Sequence, residues 1–439
     1  MSSLREISAN VGAFTTVTTS TIENSGDLTT NQFQLIPTVP SLGYTLTSSD
    51  DAGNATWTAP LADYRAYVQR TPKIRFNSAG NGNTPYVVVS SDGGMIVVIY
   101  EISGLFQQFQ TFLYTSGAWV LDSTITPPFT ANANRRIALS DQNDLVAVAN
   151  PDSNQVAVYR RTAGVWVQVG AMLNLTGTYV HFGVGLVINS GKQMLAVLSS
   201  SGVSFYAIGA STLTAAGFLS IASAQHSLDI SLDFRILVTG NYLANNNVGR
   251  VTVFVRAALD PLTAWSLLQT INPYSISASN VYAGSTVSLS RDGSTLAVGA
   301  PEDAINSPAS VGPTGAVLMF NYVTGVGFVQ GQKIVPVDYS YQSTQTVAFG
   351  GTVQLNFAGD TLVMGGWYDQ QATGSIWVYV RDKRGLWIQN GNKYRGNDLN
   401  PANANQGYTV AIARGNASVV VASVGRDDPS NKNAMVIYQ

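Results

Sequence analysis

Between Tyr282 and Lys333 the hydrophobic positions fall in four short strand-like bursts separated by turn residues. Val287-Ser-Leu289 alternates apolar with polar, and Arg291-Asp-Gly293 is a tight turn. Leu296-Ala-Val-Gly-Ala300 is a continuous apolar run, the pattern of a strand buried on both faces. Pro301 ends it, because proline cannot donate to a ladder. After a polar loop Gly315-Ala-Val-Leu-Met-Phe320 predicts a third strand, and Phe328-Val-Gln330 begins a fourth.

The pattern recurs with decay. Its first hairpin can be followed through Ser90-Ser-Asp92-Gly93, Leu139-Ser-Asp141, Ile188-Asn-Ser-Gly191, Ile230-Ser-Leu-Asp233, Leu289-Ser-Arg-Asp292, Leu355-Asn-Phe-Ala-Gly359 and Ile412-Ala-Arg-Gly415, which makes seven repeats. Their spacing lies in or above the ~40 to 50 residues of four-stranded propeller blades. The fourth strand is marked by an aromatic at Trp119, Trp166, Phe218, Trp265, Phe328 and Trp387, but the seventh repeat stops at a third strand, Met435-Val-Ile-Tyr438-Gln439. The missing piece lies upstream, where Tyr67-Val-Gln-Arg-Thr-Pro-Lys73-Ile74 echoes Phe328-Val-Gln-Gly-Gln-Lys333-Ile334. An N-terminal strand completing the last blade would remove two open sheet edges. The expectation is an all-β chain: a seven-bladed β-propeller of four-stranded blades over residues 62–439. Residues 62–78 supply the outer strand of the last blade, and an extended or hairpin arm, residues 1–61, precedes it.

Leu289-Ser-Arg-Asp-Gly-Ser-Thr-Leu-Ala-Val-Gly-Ala-Pro301, with the pairs Phe182-Gly183 and Phe349-Gly350, resembles the FG-GAP repeat, the blade unit of integrin α-chain propellers and of many bacterial and viral surface proteins. Many integrin-type blades bind calcium in the first turn. Here only Asp292 and Gly293 match in the fifth repeat, and Asp141 with Asp144 in the second, too few for the six to eight oxygens of calcium. A plain turn is the expectation instead.

The arm is rich in Thr, Ser and Asn, yet Phe33, Leu35, Ile36, Val39, Leu42, Tyr44 and Leu46 are apolar enough to pack on something. The stretch Gly43 to Trp57, with its Asp51-Ala-Gly-Asn54 turn, is similar to a hairpin of fibre proteins in phages and large DNA viruses.

Composition narrows the chemistry. Charged residues are 11% of the chain and the net charge is −2 with a pI of about 5.7, so no basic field attracts nucleic acid or an anionic membrane. Without cysteine there is no disulfide or thiolate zinc site. The first eight residues hold Glu6 and no apolar run, which predicts no secretory signal, and no membrane insertion is expected. His181 and His226, near the first strands of neighbouring repeats, could face one another in a central channel. Acidic residues follow the second strand at Asp152, at Glu302 with Asp303, at Asp369 and at Asp427 with Asp428. Equivalent ring positions lie too far apart for paired-carboxylate glycoside hydrolysis, so they read as loop caps. Trp367 and Tyr368 are a candidate sugar platform, with blade packing as the plainer role. Asn54, Asn174 and Asn416 head glycosylation triplets.

Together these features predict a non-enzymatic virion surface structural protein, a capsid-associated spike or fibre head. Its arm would engage other capsid proteins, and its propeller would meet a host glycan or receptor. An extracellular adhesin or lectin and a carbohydrate-active enzyme stand as alternatives. No catalytic, cofactor-binding or metal-binding residue is assigned and no cofactor is expected; homo-oligomerisation or a larger assembly is.

Overall fold

The computed structural model describes residues 45–48, 55–58, 67–76, 84–102, 106–129, 136–175, 181–223, 225–257, 264–274, 280–304, 313–340, 346–399, 404–426 and 432–439. The chain divides into two units, Met1–Tyr64 and Arg65–Gln439. In the first, Thr45–Ser48 pairs antiparallel with Ala55–Thr58, which is the hairpin read from the sequence. The other arm residues singled out, Phe33 to Tyr44 and the Asp51–Asn54 turn, lie outside the described residues, as do Asp427 and Asp428.

The second unit is a ring of seven antiparallel sheets built on four strands each, blade 2 adding a short fifth strand, Leu173–Asn174, beside Gln155–Thr162. Their innermost strands are Tyr86–Val89, Arg136–Leu139, Gly185–Asn189, Ser227–Ile230, Val287–Leu289, Thr352–Leu355 and Val410–Ile412. Each touches the innermost strand of the next blade, and the last touches the first, so they line a central channel. The second strands, such as Leu145–Asn150, Thr295–Ala300 and Thr361–Gly366, are buried along their whole length, which accounts for their uninterrupted apolar runs. Every interface between neighbouring blades holds its own apolar cluster. The predicted aromatics stand on or beside the outermost strands, where Trp166, Trp265, Phe328 and Trp387 are buried.

The last blade is closed from the far end of the chain. Its strands Val410–Ile412, Val420–Val424 and Ala434–Tyr438 are joined by Ile74–Arg75, with Ile74 opposite Met435. Val68 and Gln439 exchange backbone hydrogen bonds at 3.0 and 3.1 Å, and Phe76 N–H donates to Asn433 at 2.9 Å. Between Val68 and Ile74 the ladder lapses, where Pro72 has no N–H to donate. There Gln69 and the Lys73 backbone bind the Asp398 carboxylate instead. Tyr67 is buried and donates to the Ala417 carbonyl at 2.5 Å, while Phe76 stacks on Tyr100 of the first blade at 4.9 Å. The segment thus ties both sides of the seam.

The turn after each innermost strand explains the repeated Ser-x-Asp-Gly signal. In blade 5 Ser290 Oγ accepts from Thr295 N–H at 2.9 Å and donates to the Asp292 carboxylate at 2.7 Å, which also accepts from Ser294 N–H. Blade 1 repeats this with Ser90 and Asp92, and blade 4 with Ser231 and Asp233. Each carboxylate is spent on its own turn. The turns also bond one another around the channel. Ser91 reaches Asp141 and Asn143, Asp141 accepts from Ser190, and Asn189 donates to Leu232. Leu232, Arg291, Phe357 and Arg414 follow in a backbone chain, and Gly415 returns to Ser91. This hydrogen-bonded belt runs through all seven blades.

Candidate functional site

The channel has two mouths of different character. At the first, the innermost strands begin and the second strands end. Tyr86 and Arg136 are the first residues of the innermost strands of blades 1 and 2; His226, Tyr282 and Tyr408 shortly precede those of blades 4, 5 and 7. Tyr242 directly follows the second strand of blade 4, and Trp367 with Tyr368 that of blade 6.

These side chains meet around the axis. Trp367 lies 6.0 Å from Tyr368 and 5.1 Å from Tyr408 between ring centroids, and Tyr408 is edge-on to Tyr86 at 6.3 Å. The Arg136 guanidinium sits 4.6 Å over the Tyr86 ring and donates to its hydroxyl at 2.6 Å. On the other side His226 is 4.1 Å from Tyr242, which is 5.8 Å from Tyr282. Tyr368 and Tyr408 are each 39% exposed, enough to offer ring surface to a ligand while the rest of each side chain is held. The neighbouring Tyr86 phenol, then burial, pushes the Tyr408 hydroxyl up to about 12, so it remains a protonated donor at neutral pH.

Local structure fixes the platform. The Trp367 ring lies against Gly351, where a β-carbon would overlap it. Asp369, next in sequence to Tyr368, is fully buried; it accepts from Lys393 at 2.7 Å, Ser375 at 2.6 Å, Arg395 at 3.2 Å and the Ser340 backbone at 2.6 Å. Asp303 occupies a similar place in blade 5, bound to Tyr274 at 2.6 Å and Lys333 at 2.5 Å. Asp303 and Asp369 are therefore loop anchors, as their sequence positions suggested. Asp152 is exposed in the short turn Pro151–Ser153. Burial raises the Glu302 carboxyl above its usual range.

The two histidines do share this mouth. Burial, and secondarily the charge of His181, lowers the pKa of His226, and its Nδ1 is buried with no hydrogen-bond partner. His181 is exposed, with a left-handed backbone, φ +61°. Among the described residues no three His, Asp or Glu side chains come together as metal ligands. Asn174 and Asn416 are exposed, but Asn416 is engaged, accepting from Ser418 in its own turn and donating to the Asp92 carbonyl of the blade 1 turn at 2.8 Å. Tyr86, Arg136, Tyr242, Tyr282 and Tyr408 carried no sequence signal, since the chain has 20 tyrosines and nothing local distinguishes these.

The second mouth, where the innermost strands end, opens into a recess of about 670 Å³ formed by the belt turns of blades 2 to 6. Beneath it the channel narrows to a space of about 60 Å³. Arg414 crosses there, donating to the Leu289 and Leu355 carbonyls at 2.6 and 3.1 Å, with Asp229 at 3.6 Å.

No protein-family model and no curated protein matches the chain. Solved structures do. The β-propeller domain of Cps50 (Swd1) from Myceliophteria thermophila has a TM-score of 0.53 at 10% identity, covering 84% of this chain and 99% of that one. Hydrazine synthase from Kuenenia stuttgartiensis gives 0.52 at 13%, over 84% and 99%. A putative 6-phosphogluconolactonase from Bacteroides uniformis gives 0.51 at 15%, over 71% and 84%. At such identities the likeness is one of fold: this chain is a seven-bladed propeller. The expectation of a non-enzymatic protein is corrected by these structures, because the fold is shared with proteins named as enzymes. The physical reason lies in the channel. Separation of equivalent loop carboxylates around the rim says nothing about side chains that converge at the axis from different blades.

Proposed function

We propose that the propeller is an attachment module that binds glycan at its aromatic mouth, and that residues 1–61 hold it in a larger assembly, on the surface of a virion. The observation that carries the binding role is the rim itself. Trp367, Tyr368, Tyr408 and Tyr86 present adjoining ring faces and hydroxyls, with Arg136 fixed at their edge. Aromatic faces stack on the C–H surfaces of sugars while phenols and guanidinium bind hydroxyls. The Phe-Gly openings resembling adhesion-type repeats support the same reading, and the Thr45–Thr58 hairpin supports a fibre-like arm.

A glycan array tests the binding role. Wild-type protein retains a defined set of glycans, and Trp367→Ala with Tyr408→Ala loses them by at least about tenfold. Retention by the double variant rejects the mouth as the site. Incubating the retained glycans with the protein, followed by product analysis, separates capture from turnover. For the assembly role, protein lacking residues 1–61 should remain folded and be absent from purified particles by mass spectrometry; incorporation at the normal level contradicts it.

A further inference from the structure

The recess at the second mouth breaks the repeat that builds it. The second position of this turn, after Ser90, Ser290, Asn356 or Ala413, varies from blade to blade: in blade 1 it is Ser91, whereas blades 5, 6 and 7 place Arg291, Phe357 and Arg414 there. These three form a stack, with the guanidinium groups of Arg291 and Arg414 at 5.2 and 5.0 Å from the Phe357 ring. Arg414 has a task in the fold, bridging carbonyls of blades 5 and 6. Arg291 has none of that kind: it is exposed and, among the described residues, its guanidinium has no ion pair and no hydrogen bond. Its backbone is pinned on both sides, donating to the Phe357 carbonyl and accepting from Leu232 N–H, each at 2.9 Å.

We propose that this recess binds a carboxylated sugar or similar polyhydroxy acid, with Arg291 holding the carboxylate. An arginine stacked on an aromatic has already lost much of its rotamer freedom, and its planar fork of N–H donors matches a carboxylate in two-point contact. Lys192 lines the same recess and adds a second cation. Three carboxylates also line it, Asp141, Asp233 and Asp292, each accepting hydrogen bonds from the turns. Their charge disfavours a dianion such as a phosphate monoester more than a single carboxylate, whose charge is met directly by Arg291. Their remaining lone pairs, with Gln142, suit the hydroxyls of a sugar. A space of about 670 Å³ is ample for one or two sugar rings. This site lies at the other end of the channel from the aromatic mouth and does not rest on the glycan reading there.

Isothermal titration of the full chain with sodium glucuronate tests it, with glucose and inorganic phosphate as controls. Wild-type protein should bind glucuronate at least about tenfold more tightly than either control, and Arg291→Ala should lose about tenfold or more in affinity, as expected for a charge-assisted contact. Arg291→Lys should fall between, because an ammonium gives one point of contact, and both variants should keep the wild-type melting temperature. Equal binding by wild type and Arg291→Ala, tighter binding of phosphate, or no binding of glucuronate by the wild type overturns the proposal. Should Arg291→Ala fail to fold, Arg291→Gln supplies the same comparison.

Discussion

A single hydroxyl organises the turns of blades 1, 2, 4 and 5, and its removal should be felt out of proportion to its size. Ser290 Oγ accepts the N–H of Thr295, a residue only 2% exposed. Ser290→Ala leaves that donor unsatisfied and should destabilise the protein by about 1 to 3 kcal/mol in urea titration. An unchanged midpoint would mean that water takes the place of the hydroxyl. At the opposite mouth, His226 titrates in the folded chain below its ordinary value of 6.5, because burial and His181 both oppose its charge. The unfolded state then binds more protons as pH drops through 6.5, so this histidine's neutral form contributes stability that is full above 6.5 and is lost as pH falls toward the lowered folded value. Wild-type melting temperature should accordingly fall further between pH 7.5 and 5 than that of His226→Gln; parallel profiles would contradict the assignment. At this scale the sequence was legible where one residue serves one turn. Asp292 and Gly293 were read as a turn, and the bonds of the Asp292 carboxylate to Ser290 and Ser294 hold that turn. Tyr86 or Tyr408 could not be read, because a tyrosine becomes part of a rim only through neighbours from other blades.

Among the elements, the segment from Tyr67 to Phe76 closes the last blade and fills the seam with the first. Phe76 is 2% exposed and packs on Tyr100 and Phe112. Phe76→Ala should cost about 3 to 5 kcal/mol, measurable by denaturant unfolding. A chain beginning after residue 61 should keep wild-type stability, while one beginning after residue 76 should unfold at much lower denaturant; equal stability of the two would contradict closure. The pairing was legible because Tyr67 to Ile74 carries the same residues as a complete outer strand, Phe328 to Ile334. Its irregular ladder was not, because the loss of pairing at Pro72 is offset by Asp398, more than 300 positions away in sequence. The platform loop of blade 6 shows the same limit: Trp367 was singled out, but the Gly351 surface beneath it lies just before the innermost strand, Thr352–Leu355. Gly351→Ala should displace the indole and weaken glycan binding while leaving the blade folded, as judged by circular dichroism and array retention.

The whole molecule is a ring in which seven apolar interfaces and a belt of turns enforce one another, so the channel mouths inherit a rigid frame. Rigidity lets side chains from blades 1, 6 and 7 hold one aromatic surface without a local motif. The same geometry explains why an argument from loop spacing could not decide about catalysis: side chains from different blades meet at the axis. The direct test of the aromatic mouth is an NMR titration of the indole N–H signals with a glycan retained on the array. The chain has seven tryptophans, and among the described side chains Trp367 is the tryptophan that stands in the rim described above. The account predicts a saturable shift of the Trp367 signal with those of Trp119, Trp166, Trp265, Trp377 and Trp387 unmoved. Saturable binding that leaves Trp367 unshifted would contradict it.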